Sequence, residues 1–572
     1  MVFSLRPLRP LYLLLAAIGL QAPAPAQADV AGPYLAARIA GAQSDYRNAA
    51  AYYARALLAD PANPFLQESA LISYLGLGDF DRAKVVAGTM ASAGNESQIA
   101  ALTLLAADAQ AGDFAGGLAR IDAGAEAGVL VTGLFRAWAL AGQGDMSQAM
   151  RAFDTVISES GLGAFGLYHK ALALAMVGDY EGADAIFADK SGAPLRATRR
   201  GLLAHVQILS QLERPADALA LLDQALGPDV DPEFAQARAA LQTGALLPFT
   251  IAPSARDGIA EVYLSVASAL QGDTPEVFTL LHARLAEYLR PDLVDAILLG
   301  AAILEQQEQH DLATESYARV PQDHPSFPAA EIGRADALVA ADRPDAAIEV
   351  LRQLTRTRPD LAGGWISLGD TLRRQESYSD AATAYDKAID LLGEPRPAHW
   401  FVWYARAIAH ERSGAWDKAE PGFRKALDLS PDQPAVLNYL GYSYVEKKQN
   451  LDEALSMIER AVAARPEDGY IIDSLGWVLY RLGRYDEAVV QMERAVELMA
   501  VDPLVNDHLG DVYWAVGRQR EAEFQWKRAI SFGPGEDLDM DRVRRKLEVG
   551  LDQVLREEGA EPLKPALSAN GN

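Results

Sequence analysis

The sequence predicts an all-α fold, a solenoid of about 14 stacked helical hairpins in two arrays. Three observations point there. Residues 434–534 hold three consecutive copies of one residue pattern. The most regular mark of that pattern recurs upstream at a near-constant interval, as far as Ala313. The composition is rich in Ala, the strongest helix former, and contains no Cys. At 572 residues the chain exceeds one compact core, but an array grows without one, because each unit packs only on its neighbours.

The first copy reads Leu440-Gly441, Tyr444, Ala454, Ile458, Ala461, Pro466. The second reads Leu475-Gly476, Leu479, Ala488, Met492, Ala495, and the third Leu509-Gly510, Tyr513, Ala522, Trp526, Ala529, Pro534. From Gly510 the marks fall 12, 16, 19 and 24 residues downstream. Gly476 repeats the first three offsets, and Gly441 does so with one residue added at the Lys447–Asn450 turn. A large apolar residue, a Gly and an apolar residue three further on make one face of a first helix. The Gly lets a second helix approach closely. Ala488, Met492 and Ala495, at i, i+4 and i+7, form one stripe of that second helix. A turn such as Leu482-Gly483-Arg484-Tyr485 joins the two, and Pro466 or Pro534 stops the second. A period near 34 in this layout resembles the tetratricopeptide repeat, whose stacked units imply a right-handed superhelix.

The Ala that opens the second-helix stripe recurs at Ala313, Ala347, Ala381, Ala419, Ala454, Ala488 and Ala522, spaced 34, 34, 38, 35, 34 and 34. The longest interval contains a lengthened loop, Gly393-Glu394-Pro395-Arg396-Pro397. Near the N-terminus, Tyr46, Ala49, Tyr53, Ala56 and Pro61 make a first copy. Gly-Asp turns at Gly78, Gly112, Gly144 and Gly178 carry the period to a copy centred on Ala218, Leu222 and Ala225. Residues 29–245 are therefore expected to be a degenerate N-terminal array. Asp231–Gly244 reads as a lone helix, and two prolines in Leu246–Pro253 exclude a continuous one. Residues 246–257 are the expected seam, and 258–535 the second array. Beyond it, Asp541–Glu558 reads as one amphipathic helix with Val543, Leu547, Leu551 and Leu555 on a stripe. Residues 536–572 are thus expected to be a capping helix and a disordered tail.

Residues 1–28 have the layout of a secretory signal: Arg6 and Arg9, the apolar run Leu11–Leu20, and Ala26-Gln27-Ala28 before Asp29. Cleavage is expected between Ala28 and Asp29. The apolar run is about ten residues against the roughly 20 needed to span a bilayer, so no stable membrane insertion is expected after cleavage. The absence of Cys excludes disulfides, thiolate metal sites, a catalytic Cys and a lipid-bearing Cys. Without Arg6 and Arg9 the balance is 50 basic against 78 acidic residues, a net −28. A field of that sign disfavours nucleic acid and anionic lipid.

Chemistry-bearing motifs are weak. Gly161-Leu162-Gly163-Ala164-Phe165-Gly166 matches G-x-G-x-x-G, but a dinucleotide site needs a strand before it and a parallel sheet around it. An inter-repeat loop is the expected reading. The eight His form no H-E-x-x-H and no close ligand pair, so no metal and no cofactor are expected. His508, within Asn506-Asp507-His508-Leu509-Gly510-Asp511, would need an oriented partner to act as a base. A packed or hydrogen-bonded role is expected instead, and the chain is read as non-enzymatic.

What remains is a surface. On the first helices, the positions facing away from the Leu-Gly side are Tyr404, Asn438, Tyr442, Asp473, Trp477, Tyr480, Arg481, Asp507, Asp511 and Trp514. Aromatics and Arg interleaved with Asp and Asn suit a protein-binding face, being large contacts with polar handles. The competing reading is that Trp477 and Trp514 fill gaps between neighbouring first helices. The run Asn438-Tyr439-Leu440-Gly441-Tyr442, with Asp473–Trp477 and Asp507–Asp511, resembles exported repeat proteins of Gram-negative bacteria, some of them outer-membrane lipoproteins. That resemblance implies a periplasmic adaptor that brings an envelope protease to cell-wall hydrolases. Two other classes stay open: a glycan- or peptidoglycan-binding or -processing envelope protein, and a cytoplasmic assembly factor with an uncleaved N-terminus.

Overall fold

The computed structural model describes residues 28–189, 198–225, 231–272, 274–535, 538–560 and 562–563. The expected leader, up to residue 27, and the tail from residue 564 lie outside them. The described residues contain 31 α-helices and no strand. No helix among them is long and apolar enough to cross a membrane.

Six helical pairs come first: α1 (Ala28–Ala42) with α2 (Tyr46–Ala59), α3 (Pro64–Leu77) with α4 (Phe80–Ser92), α5 (Gln98–Gln110) with α6 (Phe114–Asp122), α7 (Val129–Gly142) with α8 (Met146–Ser158), α9 (Gly163–Met176) with α10 (Tyr180–Ala188), and α11 (Arg199–Gln211) with α12 (Pro215–Ala225). The Gly-Asp turns explain their regularity. Gly78, Gly112, Gly144 and Gly178 take φ between +72° and +85°, which ends each first helix in the left-handed region. The Asp that follows caps the second helix, its carboxylate accepting the N–H three residues on, as Asp79 does from Arg82 and Asp145 from Gln148. Gly161 and Gly163 lie at the α8–α9 connection, as an inter-repeat loop should.

A lone helix, α13 (Pro232–Gln242), follows. Eight more pairs complete the array: α14 (Ala255–Leu270) with α15 (Glu276–Leu289), α16 (Val294–Gln306) with α17 (His310–Tyr317), α18 (Phe327–Ala340) with α19 (Pro344–Thr357), α20 (Ala362–Arg374) with α21 (Tyr378–Leu392), α22 (Trp400–Arg412) with α23 (Trp416–Leu429), α24 (Pro434–Glu446) with α25 (Leu451–Ala464), α26 (Gly469–Leu482) with α27 (Tyr485–Leu498), and α28 (Pro503–Ala515) with α29 (Gln519–Ser531). Fourteen pairs are therefore present among the described residues, as the periodicity predicts. The seven stripe-opening residues from Ala313 to Ala522 are all fully buried. The Gly positions carry the expected close approach: a Cβ at Gly510 would lie 2.4 Å from the Trp526 ring, and one at Gly476 2.7 Å from Met492.

The chain divides into two compact units, Met1–Ala347 and Ile348–Asn572. The division falls within α19, not at 246–257. The reason is non-local packing in unit 1. Helices α14 and α15 do not start a separate array but lie against α3, α5, α7 and α9, the row of first helices. The strap 246–253 is non-helical, as its prolines require. It is tied to α11, where Gln207 donates to Thr250 Oγ1 at 2.9 Å and Ser210 Oγ accepts from Leu247 N at 2.9 Å.

In unit 2 the C-terminal cap also differs from expectation. It is two helices, α30 (Met540–Val549) and α31 (Leu551–Glu557), broken at Gly550. Gly550 has φ +81°, and a Cβ there would sit 2.6 Å from the Trp514 ring. A residue with a side chain fits neither constraint, so the single stripe expected from Val543 to Leu555 is folded back on itself.

Candidate protein-interaction surface

Each unit has a row of first helices, the face that such arrays use for contact. In unit 1 that row is already occupied. Trp138 of α7 is fully buried and lies against Gly258 of α14, where a Cβ would be 2.4 Å from the indole. Tyr263 of α14 donates to the Leu102 carbonyl of α5 at 2.8 Å, and Arg284 of α15 to the Gly76 carbonyl of α3 at 3.3 Å. Glu261, 1 % exposed, accepts from Tyr168 of α9 at 2.8 Å and from Arg200 of α11 at 2.5 Å. Arg200 also reaches Asp295 of α16 at 2.8 Å, and the neighbouring Arg199 pairs with Asp231, Glu233 and Asp295. His169 accepts from Trp138 Nε1 at 3.1 Å, and burial lowers its pKa to about 3, so it stays neutral. Tyr46 of α2 donates to Gln307 at 2.9 Å, which joins the first pair to the end of α16. Unit 1 has filled its own contact face.

Unit 2 repeats two columns along its first helices, three residues before and one residue after the Gly position. The first column is Ile366, Tyr404, Asn438, Asp473 and Asp507, and the second is Asp370, Ile408, Tyr442, Trp477 and Asp511. The structure splits both columns. On α20, α22 and α24 all six residues are half-buried and reach the surface; on α26 and α28 all four are buried. The expectation of an outward face therefore holds for Tyr404, Asn438 and Tyr442, with Arg481 and Trp514 also half-buried. It is corrected for Asp473, Trp477, Tyr480, Asp507 and Asp511, which range from 1 % to 8 % exposed.

The physical reason is pairing between adjacent first helices. Trp477 of α26 donates to Glu446 of α24 at 2.7 Å and stacks on His508 of α28, with 4.0 Å between centroids and 12° between planes. It also stacks on Tyr480 at 4.8 Å. His508 Nδ1 lies 3.0 Å from Asp473 Oδ2, so the oriented partner a base would need is there, but the pair is sealed inside the stack. Asp507 and Asp511 both bond the fully buried Lys546 of α30, at 2.7 and 2.6 Å. Asp511 also accepts from Trp526 Nε1 at 2.9 Å, and Trp514 Nε1 donates to Asp552 of α31 at 3.1 Å. Trp477 thus fills a gap between first helices, and Trp514 packs on the cap.

On the open stretch, Tyr404 sits among Trp400, Phe423 and Tyr439, with centroids 5.9–6.1 Å away, and burial pushes its pKa up to about 12. Asp370 accepts from the Tyr385 hydroxyl at 2.6 Å. Asn438 Oδ1 is buried and accepts no hydrogen bond. Exposed Arg374, Arg412 and Glu446 border the strip. Among the described residues no group of three or more His, Asp or Glu is placed to hold a metal. Ile366, Asp370 and Ile408 were not singled out by sequence, although they occupy the same offsets from Gly369 and Ala407.

The tetratricopeptide repeat family profile matches residues 332–399, 366–434, 404–469 and 440–503. Residues 332–503 of the chain therefore carry tetratricopeptide repeats. It is similar to the TPR repeat-containing protein PA4667 of Pseudomonas aeruginosa, 26% identical over 183 residues, covering 32% of this chain and 30% of that one. It is also similar to the cytochrome c-type biogenesis protein CycH of Rhizobium meliloti, 33% identical over 111 residues, 19% of this chain and 28% of that one. The human mitochondrial import receptor subunit TOM70 is 23% identical over 222 residues, 38% of this chain and 35% of its own. The chain thus spans about a third of these curated relatives. Among solved structures, the Cut9–Hcn1 hetero-tetramer covers 91% of this chain at 15% identity, with a TM-score of 0.38. Tetratricopeptide repeats are protein-interaction modules, generally non-enzymatic, that bind proteins or peptides.

The Asp473–His508 pair makes the stability of unit 2 depend on pH. Burial lowers the His508 pKa, but the carboxylates of Asp473, Asp507 and Asp511 together outweigh it and the net shift is upward. A raised folded pKa means the contribution is complete below the unfolded value near 6.5 and is lost as pH rises through the folded value. The melting temperature of unit 2 is therefore expected to fall as pH rises from near 6.5 through the folded value of His508. His508→Gln should flatten that slope; an unchanged slope in the variant removes the assignment. Burial also raises Asp507 against the opposing pull of Lys546. Its contribution has the same sign.

Proposed function

We propose that this protein is a periplasmic scaffold whose partner seats on the first helices of unit 2, on α20, α22 and α24, and that it links an envelope protease to cell-wall hydrolases. One observation carries the placement. Unit 1 has covered its first helices with α14 and α15, whereas the matching strip of unit 2 keeps Ile366, Tyr404, Ile408, Asn438 and Tyr442 at the surface. Half-buried aromatic and aliphatic side chains provide contact area for a polypeptide. The periplasmic placement rests on the layout of residues 1–28, and the protease link on the resemblance carried by Asn438–Tyr442, Asp473–Trp477 and Asp507–Asp511.

A photo-crosslinking residue placed at Tyr442 in cells of the native host tests the reading. Discrete protein adducts are expected there and not at Val490, which is 63% exposed on a second helix. Mass spectrometry of those adducts should return an envelope protease or its substrate. Equal labelling at both positions, or none at Tyr442, removes the assignment of the strip.

A further inference from the structure

We propose that α30–α31 is a displaceable occupant of an acidic helix-binding slot on α28–α29, and that the external ligand of this slot is a basic amphipathic helix. The inference rests on unit 2 being the partner-binding unit, and it adds how one end of that unit is regulated.

Helix α30 packs against α29, where a further first helix of the array would begin. The manner of its seating is unlike that of the true first helices. Helix α28 buries four large apolar side chains, Val505, Leu509, Val512 and Tyr513, besides its polar ones, while α30 buries only Val543 and, alone among the described lysines, Lys546. Lys546 is fully buried between Asp507 and Asp511, with Nζ 2.7 and 2.6 Å from their carboxylates. Arg542, one turn earlier on the same face, lies 3.5 Å from Asp511 and bonds Glu558 beyond α31 at 2.7 Å. A buried ion pair contributes less than apolar packing of the same volume, and its best-attested uses are register and switching. A permanent cap needs neither.

The attachment also suits exchange. Gly533-Pro534-Gly535 joins α29 to this region, with Gly533 at φ +94°. Helix α30 has ten residues, too few to persist alone in water. The hairpin is therefore held by its slot rather than by its own propensity.

The slot specifies its ligand by exclusion. Once α30 leaves, Asp507 and Asp511 are two carboxylates one turn apart, and an apolar helix would bury them unpaired. Only a helix with cations at i and i+4, beside apolar residues at i+1 and i+5, can replace Arg542, Val543, Lys546 and Leu547. Departure of the hairpin would also free the Trp514 ring, now against Gly550 and bonded to Asp552.

The test uses the full chain and a labelled synthetic peptide with the sequence of residues 538–560, read by fluorescence anisotropy. Lys546→Ala in the chain weakens the resident helix, so the peptide is expected to bind that variant at least tenfold more tightly than wild type. A peptide carrying Ala at its own Lys546 position should lose the gain, as should a chain with Asp507→Asn and Asp511→Asn added. Equal peptide affinity for wild type and Lys546→Ala overturns the proposal, as does equal binding of the Ala peptide. Hydrogen exchange of the wild-type chain gives an independent reading that does not depend on the variant folding. Amides of 540–557 should exchange through local opening ahead of those of α28, and exchange of both only on unfolding of unit 2 overturns the proposal. The Tyr442 crosslink reports on α20–α24 and involves no residue of the cap, so the two readings fail separately.

Discussion

Trp138→Ala is expected to destabilise unit 1 by about 3–5 kcal/mol, the cost of removing a buried Trp from a site that cannot collapse. The indole is held on all sides. Phe153 meets it edge-on at 5.7 Å, His169 accepts its N–H, and Gly258 of α14 leaves the space it fills. The substitution therefore leaves a cavity and an unsatisfied His169 Nδ1 together. Hydrogen exchange followed by mass spectrometry separates this from a general loosening. Protection should fall in α7, α9 and α14, while peptides from α24 to α29 stay as in wild type. The same experiment checks that α14–α15 is integral to unit 1. If α7 loses protection and α14 keeps it, the hairpin is not held by this contact, and unit 1 has a releasable face after all.

The repeats were legible in the sequence because they are local. A Gly at a fixed distance from a small stripe residue is a property of one hairpin, so Ala313 through Ala522 could be placed without knowing any neighbour. The Gly-Asp turns were readable for the same reason, since a left-handed Gly and a capping Asp act within four residues. What one hairpin cannot disclose is what covers it. Residues 257–261 open a correct copy, but nothing within that copy says that Gly258, Glu261 and Tyr263 will meet α5, α7, α9 and α11. The one available signal was Glu261, a carboxylate on the inward side of a helix, for which a buried cation had to exist elsewhere. Lys546 is the same signal in unit 2. It lies beside the stripe begun by Val543 and reads as solvated until Asp507 and Asp511 are brought to it. Asp473 and Trp477 were placed outward by helical spacing, and they do face away from the Leu-Gly side. The gap they face is closed by the next first helix, a distance that spacing along one helix does not contain.

That closure gives Trp477→Ala an expected outcome opposite to that of a binding hot spot. Trp477 joins its own helix α26 to α24 and α28, by its N–H to Glu446 and by its face to His508, with Tyr480 of α26 also stacked on it. Its loss should lower the stability of unit 2 by about 3 kcal/mol, at the low end of the range for a buried aromatic, because the ring keeps 8% exposure. His508 would lose its stacking partner while retaining Asp473, so the pH slope of unit 2 should survive the substitution although its melting temperature falls. Trp477→Phe, which keeps the stack and drops the bond to Glu446, should cost about 1 kcal/mol, and removes the donor without opening a large cavity. Crosslinking from Tyr442 should continue in Trp477→Phe, because the open strip on α20–α24 does not include that indole. Retained stability with lost partner capture in Trp477→Ala would return this residue to the contact face. It would also mean that α26 and α28 separate enough in solution to present it.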